Sequence, residues 1–194
     1  MKPTYIALDT ETGGIGPEVS LLTAYFAVLD ENMNIMDELD LAIKPDDNVY
    51  HVTAEALNIN KINLVEHQAK AITRGKAGEL FREFLIKNAP VSTSQDNRLI
   101  PLGHNVAFDL EKVYQNILNK SEAQKFISYR TLDTGSTGRF LITAGLIPAT
   151  VSGSLGSYVK HFGVPQREAH TARGDVEMTV DLMKAMIALV ERRS

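Results

Sequence analysis

Apolar residues along this 194-residue chain first recur with a strand-like period and then with a helical one. Thr4–Leu8 (TYIAL) is β-branched and apolar, as a buried strand is, and it runs into the glycine-rich loop DTETGGIGP. Leu21–Leu29 reads as a second strand, Asp30–Asn34 as a polar turn, and Ile35–Ile43 as a third strand that Pro45 ends. The chain therefore opens with an antiparallel meander. Helical periodicity follows over Leu64–Thr73 and more clearly over Lys76–Asn88, where Leu80, Phe81, Phe84 and Leu85 share a face. Glu55–Leu64 reads as a short packed helix. Leu99–Leu102 is a short apolar strand with Gly103-His104 as its loop. Asn105–Leu118 is a helix with Val106, Leu110, Val113 and Ile117 inward. Ile127–Leu132 is a fifth strand, and Asp133 is placed to cap a helix after it. Ser154–Phe162 is a short helix closed by Gly163 and Pro165. Ala172–Arg192 is a long one, with Val176, Thr179, Val180, Met183, Met186, Ile187 and Val190 along its buried side. Three strands and then alternating helices and strands make an α/β pattern around one mixed sheet. With no internal repeat, and only Ser92–Asn97 as a marked loop, the expectation is a single domain over residues 1–194.

Composition narrows the chemistry. There is no cysteine, which excludes disulfides, thiolate metal sites and cysteine nucleophiles. Any metal must be held by oxygen or imidazole, which favours hard ions such as Mg2+ or Mn2+. Apolar content of 44% and charged content of 23% are ordinary for a globular domain. There is neither a membrane-length apolar run nor a signal-peptide pattern, so a cytoplasmic protein without membrane contact is expected. The net charge of −4 argues against a broad phosphate-gripping surface but allows a short stretch of nucleic acid to bind locally.

Four acids and a histidine stand out by position. Asp9 and Glu11, two apart at the end of the first strand, point to one face of an extended backbone. Asp109 lies one turn into the helix after the fourth strand, and His170 and Asp175 flank the start of the last helix, five apart. Singly, each has a plain structural reading as a turn residue, a helix-start acid or a surface histidine. Together they sit at the strand ends and helix starts where α/β proteins build sites. Two carboxylates at ~4 Å repel by about 4 kcal/mol at an effective dielectric near 20, so four in one pocket need cations. Two divalent ions roughly 3.5–4 Å apart are the usual clamp for in-line displacement at phosphorus.

DTETGG (Asp9–Gly14), HNVAFD (His104–Asp109) and HTARGD (His170–Asp175) resemble, in order and spacing, the three motifs of the DEDDh branch of the DnaQ-like 3′–5′ exonucleases. That group includes the epsilon-type proofreading subunits of DNA polymerase III. The resemblance implies an RNase H-like fold, with a central five-stranded mixed sheet flanked by helices. It also implies two divalent ions and hydrolysis of strand ends to nucleoside monophosphates. Asp9 would bridge both metals, Glu11 and Asp175 would complete one site, Asp109 would hold the second ion, and His170 would be the general base. Thr10, Thr12, Leu57, Asn60, His104 and Asn105 would line the substrate pocket. Two positions depart from the pattern. Lys61 replaces a usual glycine in EALNINKINL, and the loop Thr171-Ala172-Arg173-Gly174 lacks a leucine that is common there; Arg173 could touch phosphate, although a lone surface arginine is more often solvated.

Two other functions remain open on the residues alone: a catalytically inactive nucleic-acid-binding module, and a phosphohydrolase acting on free nucleotides. Within the exonuclease reading, proofreading and end-trimming roles share the same motifs. Nineteen residues follow Asp175 and read as one helix, which points to a free-standing enzyme or one that meets a DNA polymerase in trans.

Overall fold

The structure, a computed structural model, describes residues 3–89, 94, 97–167 and 170–192. Its sheet runs β4-β3-β2-β1-β5-β6. The first three strands, β1 (Pro3–Thr12), β2 (Leu21–Asp30) and β3 (Ile35–Lys44), form the expected meander. Its hairpin is closed by Asp30, whose Oδ1 accepts the backbone N–H groups of Asn32 and Asn34, both at 2.8 Å. On its other side β1 pairs in parallel with β5 (Ile100–Gly103), from Tyr5↔Ile100 to Ala7↔Leu102.

Three expectations about the strands change. β1 does not stop at Leu8: Asp9 and Glu11 remain in the strand, opposite Tyr25 and Thr23 of β2. The sheet has six strands rather than five, because Ile72–Thr73 (β4) pairs beside β3. Two residues are too few to show an alternating pattern. The predicted fifth strand survives only as a bridge at Ile127 and as the pair Leu132–Asp133 (β6).

β2 is buried on both faces, which is why it reads as an unbroken apolar run. Its Ala24, Phe26 and Val28, with Ile6 and Leu8 of β1, pack under helices α3 (Arg74–Asn88) and α4 (Val106–Asn116). Its Tyr25, Ala27 and Leu29, with Ala7 of β1, pack under α8 (Ala172–Glu191). Three further helices were anticipated in outline: α1 (Ala54–Asn60), α2 (Leu64–Lys70) and α7 (Leu155–Phe162), the last ending at Gly163 with φ +65°. α5 (Lys120–Ala123) was not foreseen, and α6 (Thr134–Thr143) was foreseen only through its cap Asp133. On α8, Ile187 and Val190 are exposed, against expectation, while Met178 and Leu182 are buried. The helix buries two stripes, Val176, Val180 and Met183 on the sheet and Met178, Leu182 and Met186 on α6 and α7. One helical face could not account for all of them. The loop expected over 92–97 lies, apart from residues 94 and 97, outside the described residues.

Candidate metal centre

The alternation of β1 decides where its acids go. Ala7 faces α8, so Asp9 and Glu11, two and four residues on, face the same way. α8 begins over this end of β1 with Asp175 in its first turn, where the helix dipole favours a carboxylate. Thr171 caps the helix, its Oγ1 accepting from Gly174 N at 3.1 Å, and the backbone N–H of His170 donates to the Asp175 carboxylate. One carboxylate oxygen from each of Asp9, Glu11 and Asp175 lies within 4.8 Å of the others.

Asp109 approaches from the other side of β1. The β1–β5 ladder ends at Ala7↔Leu102, so the Thr10 N–H on that edge needs another partner. Asp109 supplies it, accepting from Thr10 N at 3.0 Å and Thr10 Oγ1 at 2.7 Å. α4, which carries Asp109, is fixed by Asp133. Its Oδ2 accepts Val106 N at 2.8 Å, while its Oδ1 caps α6 through Ser136 N at 2.7 Å.

Burial raises all four acids, and repulsion among them adds to it at Asp9 and Glu11. Asp9 is pushed well above the carboxylate range by burial, then by the charges of Asp109, Asp175 and Glu11. Burial, with Asp175 and Asp109, lifts Glu11 to about 7. Burial lifts Asp109 to about 6 even against the Thr10 bonds, which favour its charged form. Asp175 is raised by burial, and the His170 N–H offsets part of this. The three grouped carboxylates of Asp9, Glu11 and Asp175, with Asp109 close enough to raise Asp9, offer an all-oxygen donor set that fits hard divalent cations.

Glu11 and His170 also line one cavity of about 230 Å3, walled by Thr23 and Asp40 of the sheet and by Asn60 and Ile62 below α1. His170 is exposed on its rim, with a left-handed backbone at φ +62°. The structure thus brings together Asp9, Glu11 and Asp175, places Asp109 beside them, and sets His170 at the edge.

The residues expected to line a substrate pocket have several occupations. Thr10 is buried and committed to Asp109. Thr12 Oγ1 donates to Gly14 O at 2.6 Å. Asn60 is buried, its amide donating to Thr12 O at 3.2 Å and its Oδ1 accepting from Ile62 N at 3.1 Å, so it ties α1 to the end of β1. Leu57 is half-buried on α1. The His104 ring bridges Thr134 Oγ1 and Gly153 O at 2.9 and 3.1 Å, and burial lowers its pKa. Asn105 is exposed at the start of α4, with φ +59°.

Three contributors were missed. Lys112, buried on α4, donates from Nζ to Gly16 O at 2.8 Å and so holds the loop after β1. Asp133 caps α4 as well as α6. Asp40 lies across Tyr25 from Asp9, on the same face of the sheet, and burial raises it. Of these only Asp133 left a trace in the sequence, as the cap of α6; Lys112 lies off the apolar stripe of α4, and Asp40 reads as an ordinary polar strand position. Arg173, expected to be solvated, is ion-paired to Glu38 and Glu177. In the loop itself, Gly13 is required: a Cβ there would stand 2.3 Å from His51 O.

No family model and no curated protein matches the chain. Solved structures do. E. coli exonuclease I in complex with a dT13 oligonucleotide is 21% identical with a TM-score of 0.76, over 99% of this chain and 42% of that one. A second exonuclease I structure gives 21% and 0.77, over 98% and 42%. A zinc-bound complex of the E. coli enzyme with single-stranded DNA gives 22% and 0.73, over 100% and 41%. The chain thus spans about two-fifths of the proteins it matches. At this identity the likeness establishes the fold, and the chain has the RNase H-like α/β fold that its motifs led one to expect.

Proposed function

We propose that the chain is a metal-dependent 3′–5′ exonuclease that removes nucleoside monophosphates from the ends of single-stranded nucleic acid. The observation that carries this reading is the meeting of Asp9, Glu11 and Asp175 within 4.8 Å, with Asp109 beside them and His170 on the rim of the cavity that Glu11 lines. Clustered, buried carboxylates are a poor binding surface for a phosphodiester unless cations join them.

Asp9, Glu11 and Asp175 would hold Mg2+ or Mn2+, with Asp109 serving a second ion. Bound there, the ions would activate water and offset charge on the phosphoryl group. The protein's own contribution is placement. Thr10 fixes Asp109, and Thr171 and the His170 N–H fix Asp175. His170, exposed on the rim of the cavity, would take the proton of the attacking water on a ring nitrogen. Thr12, Leu57, His104 and Asn105 surround the terminal nucleotide. The oligonucleotide complexes of the structurally similar exonuclease I favour DNA as the strand. A proofreading or trimming role follows from the same chemistry, with any polymerase met as a separate chain.

A labelled single-stranded oligonucleotide digested beside free nucleoside triphosphates tests the assignment. The oligonucleotide is shortened in Mg2+ or Mn2+ and untouched in EDTA, and the triphosphates survive. Hydrolysis of triphosphates alone, or binding without cleavage, overturns it in favour of the two other readings.

A further inference from the structure

His170 is held in a backbone conformation that a residue with a Cβ rarely adopts (φ +62°). Such a conformation persists only where its surroundings impose it. Three residues before it, Arg167 reaches α8, with Nε 3.7 Å from Glu177 and a terminal nitrogen 3.2 Å from Asp181. Three residues after it, Arg173 meets the same Glu177 at 3.1 Å and crosses to Glu38 of β3 at 3.3 Å. Glu38 is held in turn by the hydroxyl of buried Tyr25 at 2.6 Å, and the Arg173 guanidinium lies 5.6 Å from the centre of the Tyr25 ring. Tyr25 is the β2 partner of Asp9.

An isolated exposed ion pair contributes little, but here both arginines flanking His170 converge on one carboxylate, and one of them is anchored to the sheet beside the metal centre. We propose that Glu177 and Glu38, through Arg167 and Arg173, are positioning residues that hold His170 at the rim of the cavity. This rests on the general-base role given to His170 above. Arg173 is then a strut and not a phosphate contact. The distinction is testable because a phosphate contact needs only charge, whereas the strut needs a planar fork that serves two carboxylates at once.

The test compares Glu38→Gln, Arg173→Gln and Arg173→Lys with the parent, alone and in a His170→Ala background. Single-turnover rates and oligonucleotide affinity are read for each, with the His170 imidazole resonances of the metal-free proteins as a readout independent of activity. All three substitutions are expected to slow the chemical step by roughly three- to thirtyfold, within the range of coupled neighbours, and to leave affinity unchanged. They are expected to have no further effect once His170 is alanine, and to shift or broaden its imidazole signals. If Arg173→Gln lowers the melting temperature, Glu38→Gln, which leaves both arginines in place, decides. Parent-like rates and signals, a loss confined to affinity, full rescue by lysine, or additivity with His170→Ala would each overturn the proposal. An inactive parent, or a His170→Ala variant as fast as the parent, would instead remove the functional reading beneath it.

Discussion

At the scale of the residue, the centre stores electrostatic strain that a cation should release. Glu11 rises from 4.5 to about 7 on folding. A carboxyl whose folded pKa is raised favours the fold below its unfolded pKa, and that contribution is lost as pH climbs through the folded value. The metal-free protein is therefore expected to melt at lower temperature as pH goes from about 4.5 to 7, and excess Mn2+ should reverse the loss near pH 7.5. Melting curves at both pH values with and without the ion check this, and a metal-free Tm that rises over the window contradicts it. Asp9→Asn removes the acid that burial and its neighbours disfavour most and should raise the metal-free Tm by roughly 2–8 °C, as a gain of one to two kcal/mol would in a chain this size. The same change should abolish Mn2+ binding in calorimetry; retained binding would show that Asp9 is no ligand. Lys61 offers a plainer case. It closes α1 at φ +58°, which explains why a glycine is usual there. Lys61→Gly should therefore stabilise the protein, or at worst leave it unchanged, by up to about 1 kcal/mol in urea titrations. A clear loss of stability would mean that the lysine side chain makes a contact worth more than the backbone strain.

At the scale of the element, the reading from sequence succeeded where one period dominates a segment and failed where the partner is distant. β2 and α4 were legible because their apolar positions recur regularly, and the shared face of Asp9 and Glu11 because residues two apart on a strand point the same way, whereas the approach of Asp175 depends on how α8 packs over the sheet. β4 and β6 were not, since two residues carry no period and pair only because neighbouring elements align them. α8 was half-legible: a helix gripped by both a sheet and two helices buries two stripes, and choosing one stripe wrongly placed Ile187 and Val190 inside. Asp133 shows the same limit. Its cap on α6 is three residues away and readable, but its bond to Val106, 27 residues back, depends on the sheet. Asp133→Ala should consequently cost more than an ordinary cap, about 2 kcal/mol or more, because two helix starts lose their acceptor. It should also slow turnover, since α4 carries Asp109. Urea denaturation beside an activity assay measures both, and a cost under about 0.5 kcal/mol would show that water replaces the side chain at both helices.

At the scale of the whole molecule, a net charge of −4 has to be reconciled with the polyanionic strand proposed as substrate. Under the proposed function the ions that would neutralise the carboxylates would also meet the phosphate, so that affinity would come from a few nucleotides at one end. The dependence of binding on salt should accordingly be shallow, reflecting about two or three phosphates. A slope typical of a protein covering many phosphates would place the interface elsewhere. Exonuclease I, which shares this fold, is more than twice as long, so strand contacts made by the rest of that protein do not carry over to these residues. The measurement that tests the account most directly uses one sequence as a 5′-labelled linear single strand and as a closed circle, each with the protein in Mn2+ or in EDTA. The linear strand should shorten one nucleotide at a time with its label retained until last, the circle should remain intact, and EDTA should stop all change. Nicking of the circle, early release of the labelled 5′ nucleotide, or undiminished cleavage in EDTA would contradict a metal-dependent 3′–5′ exonuclease built on Asp9, Glu11, Asp109 and Asp175.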